Sequence, residues 1–247
     1  MPDIGTNKNK EFWMPPHTRV CVTATGAVLL DLKRNRYFGL GPREARSLST
    51  LATNWSVAST SCRHSLEPMP PDDAARLAEA LVKAGFLTPL APTESGPGFT
   101  AIESNAALTS VGQELSVAVR LHLHHIVAFL RACFWAKRAV ESRLLYSIAC
   151  EIAASKAGAP PAIDLERTVA LVCAFRRLRP YAFAAKDQCL FHALALLKFL
   201  SHYDVFPTWV IAVRTAPWAA HSWLQLGNCV LDCNPEEICE YTPILAI

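Results

Sequence analysis

The stretch DQCLFHALALLKFL, residues 187–200, decides the interpretation of this chain. Its residues are apolar on nearly every face of a helix, and such a helix is buried inside a domain. Asp187 stands just before the apolar run, where a carboxylate caps the first turn of a helix. The pattern therefore predicts a buried central helix whose N-terminus opens on a cleft, with Cys189 in the first turn.

The predicted place of Cys189 favours a reactive thiol. A thiol attacks as the thiolate, which the free N–H groups and the positive dipole end of a helix N-terminus stabilise. A nearby imidazole can take the proton and remain as a counter-ion. A cysteine on an apolar helix is, however, more often a small core residue, and the chain has nine cysteines. A catalytic role for Cys189 therefore requires a base and an orienting residue elsewhere in the chain.

His221 and Asp232 are the partners that the sequence offers. Residues 207–214 are rich in β-branched and aromatic side chains, as strands are. A second predicted strand, residues 222–226, ends at a Gly-Asn turn signal, and residues 229–232 run back beside it. Two antiparallel neighbours can hold a His and an Asp side by side, so that the carboxylate fixes the imidazole tautomer. Taken alone, each of these residues has an ordinary structural explanation. Together, in the order Cys189, His221, Asp232, they are typical of a thiol hydrolase or acyltransferase.

The region 187–247 resembles the lasso-peptide leader peptidases, the B proteins of lasso biosynthesis, which belong to the transglutaminase-like cysteine protease superfamily. The resemblance implies a papain/transglutaminase-like domain with a buried central helix and an antiparallel sheet. It also implies a Cys-His-Asp triad that removes a leader peptide. The matching segments are residues 187–190, 195–198, 210–215, 217–218, 221–223 and 244–247.

One departure from the family concerns the third triad member. The family carries it in a segment like Val-Leu-Asn-Asp, and a gapless match places Cys233 at the family's Asp. A slip of one residue reverses the side-chain direction in a strand, although a bulge restores it. Asp232 is chosen because it is the only carboxylate at the end of that predicted strand. Asn234 is the alternative, since an amide orients the His in papain-like enzymes.

The N-terminal part predicts a different, smaller domain. Short alternating segments around Gly26 indicate a hairpin, and residues 36–40 a third strand. One helix is predicted after Gly41-Pro42, because proline is tolerated in the first turn. Another begins at Pro71 and stops at Gly85. The predicted fold class is thus α+β, with residues 1–90 as one domain, 91–110 as a Pro- and Gly-containing linker and 111–247 as the peptidase domain.

Three strands followed by helices resemble the PqqD-like domain, also called the RiPP recognition element, a small winged-helix-like module. The resemblance implies that a precursor's leader peptide adds as a strand beside residues 36–40, with residues 75–86 as the other wall. This is β-augmentation, in which main-chain bonds supply affinity and side-chain pockets supply specificity. An ordinary wing domain with a sealed edge is the alternative. The residues implied for leader binding are Arg36, Tyr37, Phe38, Leu40, Leu77 and Leu81.

Composition and charge narrow the classes of protein to which this chain can belong. A net charge of +3 at pH 7, without a basic tract, argues against a nucleic-acid binder. An odd number of cysteines, mostly in apolar segments, indicates reduced thiols and a cytoplasmic protein. Residues 1–10 are polar and show no signal peptide. No apolar run is long enough to span a bilayer.

The sequence predicts no metal site. The spacings of Cys229, Cys233 and Cys239 match no common zinc pattern. His122, His124 and His125 are better explained as the polar side of an amphipathic helix, since no matching carboxylate follows. Helices are predicted over residues 116–157, with one break, and over residues 165–178.

The expected function is that of a cytoplasmic cysteine endopeptidase that removes the leader of a lasso precursor peptide. The resemblance implies an asparagine-synthetase-like lasso cyclase as partner, with ATP held in the complex. The chain itself has no phosphate-binding motif, so no cofactor is expected in it. Two alternatives stay open. One is an acyltransferase of the transglutaminase type; the other is a leader-binding scaffold without peptidase activity.

Overall fold

The computed structural model describes residues 11–55, 67–93, 96, 98, 109–111, 119–142, 145–157, 164–181 and 189–247. The chain divides into two compact units. The N-terminal unit comprises Met1–Leu32 and Arg36–Gly96, and the C-terminal unit comprises Lys33–Asn35 and Pro97–Ile247. Each unit has its own hydrophobic cluster.

The N-terminal unit is built on an antiparallel sheet of three strands in the order β2-β3-β4. The strands and helices predicted from the sequence are present, and α2 ends at Gly85, which is left-handed with φ of 84°. In chain order the elements are β1 (Phe12–Trp13), β2 (Thr18–Thr23), β3 (Gly26–Asp31), β4 (Arg36–Leu40), α1 (Pro42–Leu51), β5 (Ala52–Thr53) and α2 (Pro71–Ala84). The short β1 and β5, which the sequence did not predict, pair in parallel.

Gly26 shows why the first hairpin of this sheet turns so tightly. Its φ is +144°, a region that residues with a Cβ rarely enter. A Cβ at this position would also collide with the carbonyl oxygen of Leu40. Glycine therefore lets the start of β3 approach the end of β4 closely.

The core of the N-terminal unit lies between the sheet and its helices. Leu29 of β3, Leu48 of α1 and Leu81 of α2 are almost fully buried in one cluster. Burial of each such side chain stabilises the unit by about 1.5–3 kcal/mol relative to an exposed one.

The C-terminal unit combines helices with a sheet of five strands in the order β10-β7-β8-β9-β6. Its elements are β6 (Thr109–Val111), α3 (Leu123–Ser142), α4 (Leu145–Ala157), α5 (Leu165–Leu178), α6 (Cys189–Ser201), β7 (Thr208–Thr215), β8 (Trp218–Leu226), β9 (Cys229–Leu231), α7 (Pro235–Ile238) and β10 (Thr242–Ala246). A 3-10 turn, Arg179–Tyr181, follows α5.

The sheet departs from the sequence prediction at one edge. β7, β8 and β9 pair antiparallel, as predicted, and β10, which the sequence did not predict as a strand, pairs antiparallel with β7. β6, in contrast, pairs parallel with β9. β6 includes Thr109 and Ser110, which the sequence assigned to the linker. The sheet is therefore mixed and not purely antiparallel. The three residues of β6, which precede all the helices of this unit in the chain, form its edge strand.

The helices follow the predicted order with adjusted bounds. α3 begins at Leu123, later than the predicted start at residue 116; residues 116–118 lie outside the described residues. Asp164 caps α5 as predicted, its Oδ1 accepting a hydrogen bond from the N–H of Arg167 at 3.1 Å. None of the helices in the described ranges is long and apolar enough to cross a membrane.

The predicted buried central helix is confirmed. From Ala193 onward nearly all of α6 is buried, including Leu194, Phe199 and Leu200, which are fully inaccessible. The helix packs against α3 and against β8. Its first turn, from Cys189 to His192, is half-buried, as are Lys198 and Ser201 further along.

Candidate active site

Cys189 lies in the first turn of α6, as the sequence predicted. Its side chain is half-buried and its thiol is free. The N–H groups of the first helical turn have no partner within the helix, so this position favours an anionic sulfur. The predicted cap, Asp187, and its neighbour Gln188 lie outside the described residues.

His221 lies on β8, the strand against which α6 packs, and pairs with Ala212 of β7. Burial lowers the pKa of the half-buried imidazole, and the carboxylate of Glu237 opposes this shift. A lowered pKa leaves the imidazole neutral near pH 7, which is the form that can accept a proton. Its ring lies 5.5 Å from Tyr241 and 6.1 Å from Trp223, centroid to centroid.

Asp232 follows directly after β9 and turns away from the strand, with φ of 56°. Its carboxylate is 7% exposed and engages two guanidinium groups. Nε of Arg176 donates to Oδ1 at 2.5 Å, and Nη1 of Arg179 donates to Oδ2 at 3.1 Å. The described hydrogen bonds of Asp232 thus tie the end of β9 to the end of α5, and none of them runs to His221.

The neighbours of Asp232 have defined roles of their own. Burial, reinforced by the carboxylates of Glu237 and Asp232, raises the pKa of the Cys233 thiol to about 12. Cys233 is therefore a neutral thiol at the place where the family resemblance expects an aspartate. The side chain of Asn234 caps α7, since its Oδ1 accepts from the N–H of Glu236 at 3.1 Å.

Two other cysteines of the described residues are unsuited to nucleophilic attack. Burial raises the pKa of Cys21 to about 12 and that of Cys133 to about 11. Both thiols stay protonated at neutral pH, when the thiolate is the reactive form. None of the eight cysteines in the described ranges is in a disulfide, and Cys62 lies outside those ranges.

The structure also brings forward residues that the sequence did not single out. His192 lies one turn after Cys189, and residues three apart share a helix face. Burial lowers the pKa of His192; Arg179 adds to this shift and Asp232 opposes it. The i,i+3 spacing of Cys189 and His192 was a visible signal, as was the basic run at 176–179. Glu237 gave no such signal in the sequence, because its placement relative to His221 depends on the fold.

The residues proposed for leader binding fall into two groups. Arg36 and Phe38 are exposed on β4, which forms the edge of its sheet among the described strands, and Tyr37 is half-buried. We refer to Arg36, Tyr37 and Phe38 as the edge-strand surface. Leu40 and Leu81 lie in the core and Leu77 is partly buried against it, so these leucines support the surface from beneath.

The edge-strand surface is joined to the end of α2. Arg36 donates to the carbonyl oxygen of Ala84 at 3.0 Å, and its guanidinium lies 5.7 Å from the ring centre of Phe86. The rings of Phe38 and Phe86 are 5.7 Å apart. A cation at a helix C-terminus is favourably placed, and the result is an aromatic and basic surface beside an edge strand.

A metal site is not found among the described residues. His122, His124 and His125 do cluster at the start of α3, with the rings of His124 and His125 4.1 Å apart. Nδ1 of His125 accepts a hydrogen bond from the N–H of His122 at 3.2 Å. That bond gives the cluster a structural role at the helix N-terminus.

Comparison with known proteins finds one similarity, in the C-terminal part of the chain. A family model described as the transglutaminase-like superfamily matches residues 127–246. No curated protein and no solved structure gives a significant match. The matched range spans α3 to β10 and includes Cys189, His221 and Asp232. Residues 127–246 are therefore similar to the transglutaminase-like superfamily, a group that includes cysteine peptidases and acyltransferases.

Proposed function

We propose that this protein is a cysteine endopeptidase that removes the leader peptide from a lasso precursor. The main support for this proposal is the arrangement of α6 and β8. Cys189 opens the buried central helix of a transglutaminase-like domain, and that helix packs on the strand that bears His221. The half-buried imidazole is neutral near pH 7, because burial lowers its pKa.

In the proposed mechanism His221 accepts the thiol proton of Cys189. The sulfur then attacks the carbonyl carbon of the leader's last residue, and the backbone N–H of Cys189 donates to the developing oxyanion. The imidazolium passes its proton to the leaving amine of the core peptide as the C–N bond breaks. Water next attacks the thioester, His221 takes its proton, and the C–S bond breaks to return the thiol and release the leader acid.

Capture of the leader is assigned to the N-terminal unit. β4 lies at the edge of the sheet of described strands, so it can pair with an added strand. Arg36 and Phe38 then offer a charge and an apolar ring on one face of that edge. The freed core amine is the group that a lasso cyclase would join to a side-chain carboxylate.

The test is mass spectrometry of the precursor peptide incubated with the protein, an asparagine-synthetase-like cyclase and ATP. The native protein should release free leader and core, and Cys189→Ala should bind the precursor without cutting it. Cys150→Ala is the matched control, because Cys150 is another half-buried free thiol of the same unit. It should cut like the native protein.

Two histidine variants complete the test. We expect His221→Gln to abolish cutting and His192→Gln to retain it; the reverse result would make His192 the base. Equal cutting by Cys189→Ala and the native protein would remove Cys189 from the mechanism. A joined product in place of free leader would indicate an acyltransferase. Precursor binding without any cutting would indicate a scaffold.

A further inference from the structure

Among the described residues, Glu237 is the carboxylate whose charge raises the pKa of His221. It works against burial and favours the charged imidazolium. Glu237 lies on α7, five residues beyond the aspartate that the sequence favoured. The charge of the same carboxylate also raises the pKa of Cys233, the side chain at the family's aspartate position.

The strand register explains how α7 comes to lie beside His221. β8 and β9 are antiparallel, with Leu224 opposite Leu231. Three residues back along β8 is His221, and three residues forward from Leu231 is Asn234, the cap of α7. The chain therefore reaches the level of His221 as α7 begins.

Packing around α7 supports the same placement. Ile238 of α7 is buried in one cluster with Trp223 of β8, and Tyr241 packs against that cluster. The ring of Tyr241 is also 5.5 Å from that of His221. α7 is thus held against the part of β8 that carries the imidazole.

The other side chains that could orient His221 are engaged elsewhere. Both carboxylate oxygens of Asp232 receive hydrogen bonds from arginines, which offset its charge. The Oδ1 of Asn234 caps α7. The Cys233 thiol is uncharged near neutral pH, because its pKa is raised to about 12.

We propose that Glu237 is the positioning residue for His221, stabilising the imidazolium that forms when His221 accepts the proton of Cys189. This inference rests on the proposed function, which gives His221 its role as the base. An orienting carboxylate in a catalytic triad acts in this way, by favouring the charged imidazole without taking its proton.

Other groups near His221 do not replace Glu237. Arg214 pairs with Glu240 at 2.5 Å and lies 5.2 Å from the ring centre of Tyr241, so its charge is compensated. Glu237 is exposed, so added salt should screen its effect on His221. The titratable and charged groups on the surrounding elements are Cys189, His192 and Lys198 of α6, Arg214 of β7, Cys229 of β9, and Glu236 and Glu237 of α7. The segments beside α7 add Asp232, Cys233, Cys239, Glu240 and Tyr241.

The first experiment is an NMR titration of the His221 imidazole in the full chain, which needs no activity. Glu237→Gln should lower the His221 pKa below that of the native protein, and Asp232→Asn should leave it nearer the native value. Raising the ionic strength should lower the His221 pKa in the native protein, because salt screens the carboxylate of Glu237. It should not lower the His221 pKa in Glu237→Gln. An unchanged His221 pKa in Glu237→Gln overturns the inference, whatever the activity of the protein.

The second experiment measures precursor cutting against pH. Glu237→Gln should reduce kcat roughly tenfold, the scale of one nearby charge in a partly exposed site, with KM unchanged and the acidic limb moved to lower pH. Glu237→Asp should restore part of the rate. A loss of rate with an unmoved pH profile would overturn the inference. If the native protein does not cut, the proposed function fails while the titration still decides whether Glu237 acts on His221.

Discussion

At the scale of single residues, Asp232 acts as the link between a strand end and a helix end. It has φ of 56°, a conformation in which asparagine and aspartate are enriched. Its carboxylate is buried between Arg176 and Arg179. A buried carboxylate needs such partners, because an unpaired charge in the interior is strongly unfavourable.

Asp232→Asn should therefore destabilise the C-terminal unit. Asparagine tolerates the left-handed backbone, so the variant removes the charge without adding backbone strain. We expect a loss of about 2 kcal/mol in the free energy of unfolding, measured by urea denaturation.

The double variant Asp232→Asn with Arg176→Gln serves as the control. It should lose less than the sum of the two single variants, since contacting residues are not additive. Unchanged stability in Asp232→Asn would show that the two ion pairs contribute nothing. A loss of cutting with unchanged stability and an altered His221 pKa would instead favour Asp232 as the orienting carboxylate.

The sequence predicted the place of Cys189 well and the surroundings of Asp232 poorly. The helix start at Cys189 is a local property, set by the apolar run that follows it. The partners of Asp232 lie more than fifty residues earlier in the chain, and no local pattern connects them. The role of Glu237 was hidden for the same reason, since it depends on where a helix of one turn packs.

At the scale of elements, β4 is the edge on which the leader-binding proposal depends. Phe38 is 39% exposed, although its ring contacts Phe86. We expect Phe38→Ala to weaken binding of a fluorescent leader peptide about tenfold, or about 1.4 kcal/mol, because an apolar contact is lost. Fluorescence anisotropy measures this directly.

Leu90→Ala is the matched control for Phe38→Ala. Leu90 is an exposed apolar residue of the same unit, outside the edge-strand surface. It should leave the dissociation constant unchanged. Equal affinity of Phe38→Ala and the native protein would place the leader elsewhere.

Elements with a strong local pattern were predictable. The strands β2 to β4, the helices α2 and α5, and the β8–β9 turn carry alternation, caps or glycine stops. The strands β1, β5 and β6 have two or three residues each and pair in parallel with distant segments. Such short segments show no periodicity, so the sequence alone could not reveal them.

At the scale of the whole molecule, three histidines should make stability depend on pH. Burial lowers the pKa of His125, His192 and His221 from the ordinary value of 6.5. Unfolded chains then bind protons at a higher pH than folded ones. The protein is therefore most stable above about pH 6.5, where the histidines are neutral in both states. Its free energy of unfolding decreases as the pH falls from there toward the lowered pKa values of the folded protein.

Urea denaturation at pH 7.5 and pH 5.5, followed by circular dichroism, measures this dependence. Stability should be lower at pH 5.5, and His192→Gln should reduce the difference. Equal or greater stability at pH 5.5 would contradict the lowered pKa values. All three histidines lie in the C-terminal unit, so the N-terminal unit should contribute little to this pH effect.

The parallel pairing of β6 with β9 bears on how this molecule can be divided for laboratory work. A fragment that begins at residue 111, the start predicted for the peptidase domain, lacks Thr109 and Ser110 and with them most of β6. Cys229–Leu231 would then become an unprotected outer strand, and unprotected edges recruit other chains into aggregates. A recombinant C-terminal fragment should therefore begin upstream of Thr109, so that β9 keeps its neighbouring strand.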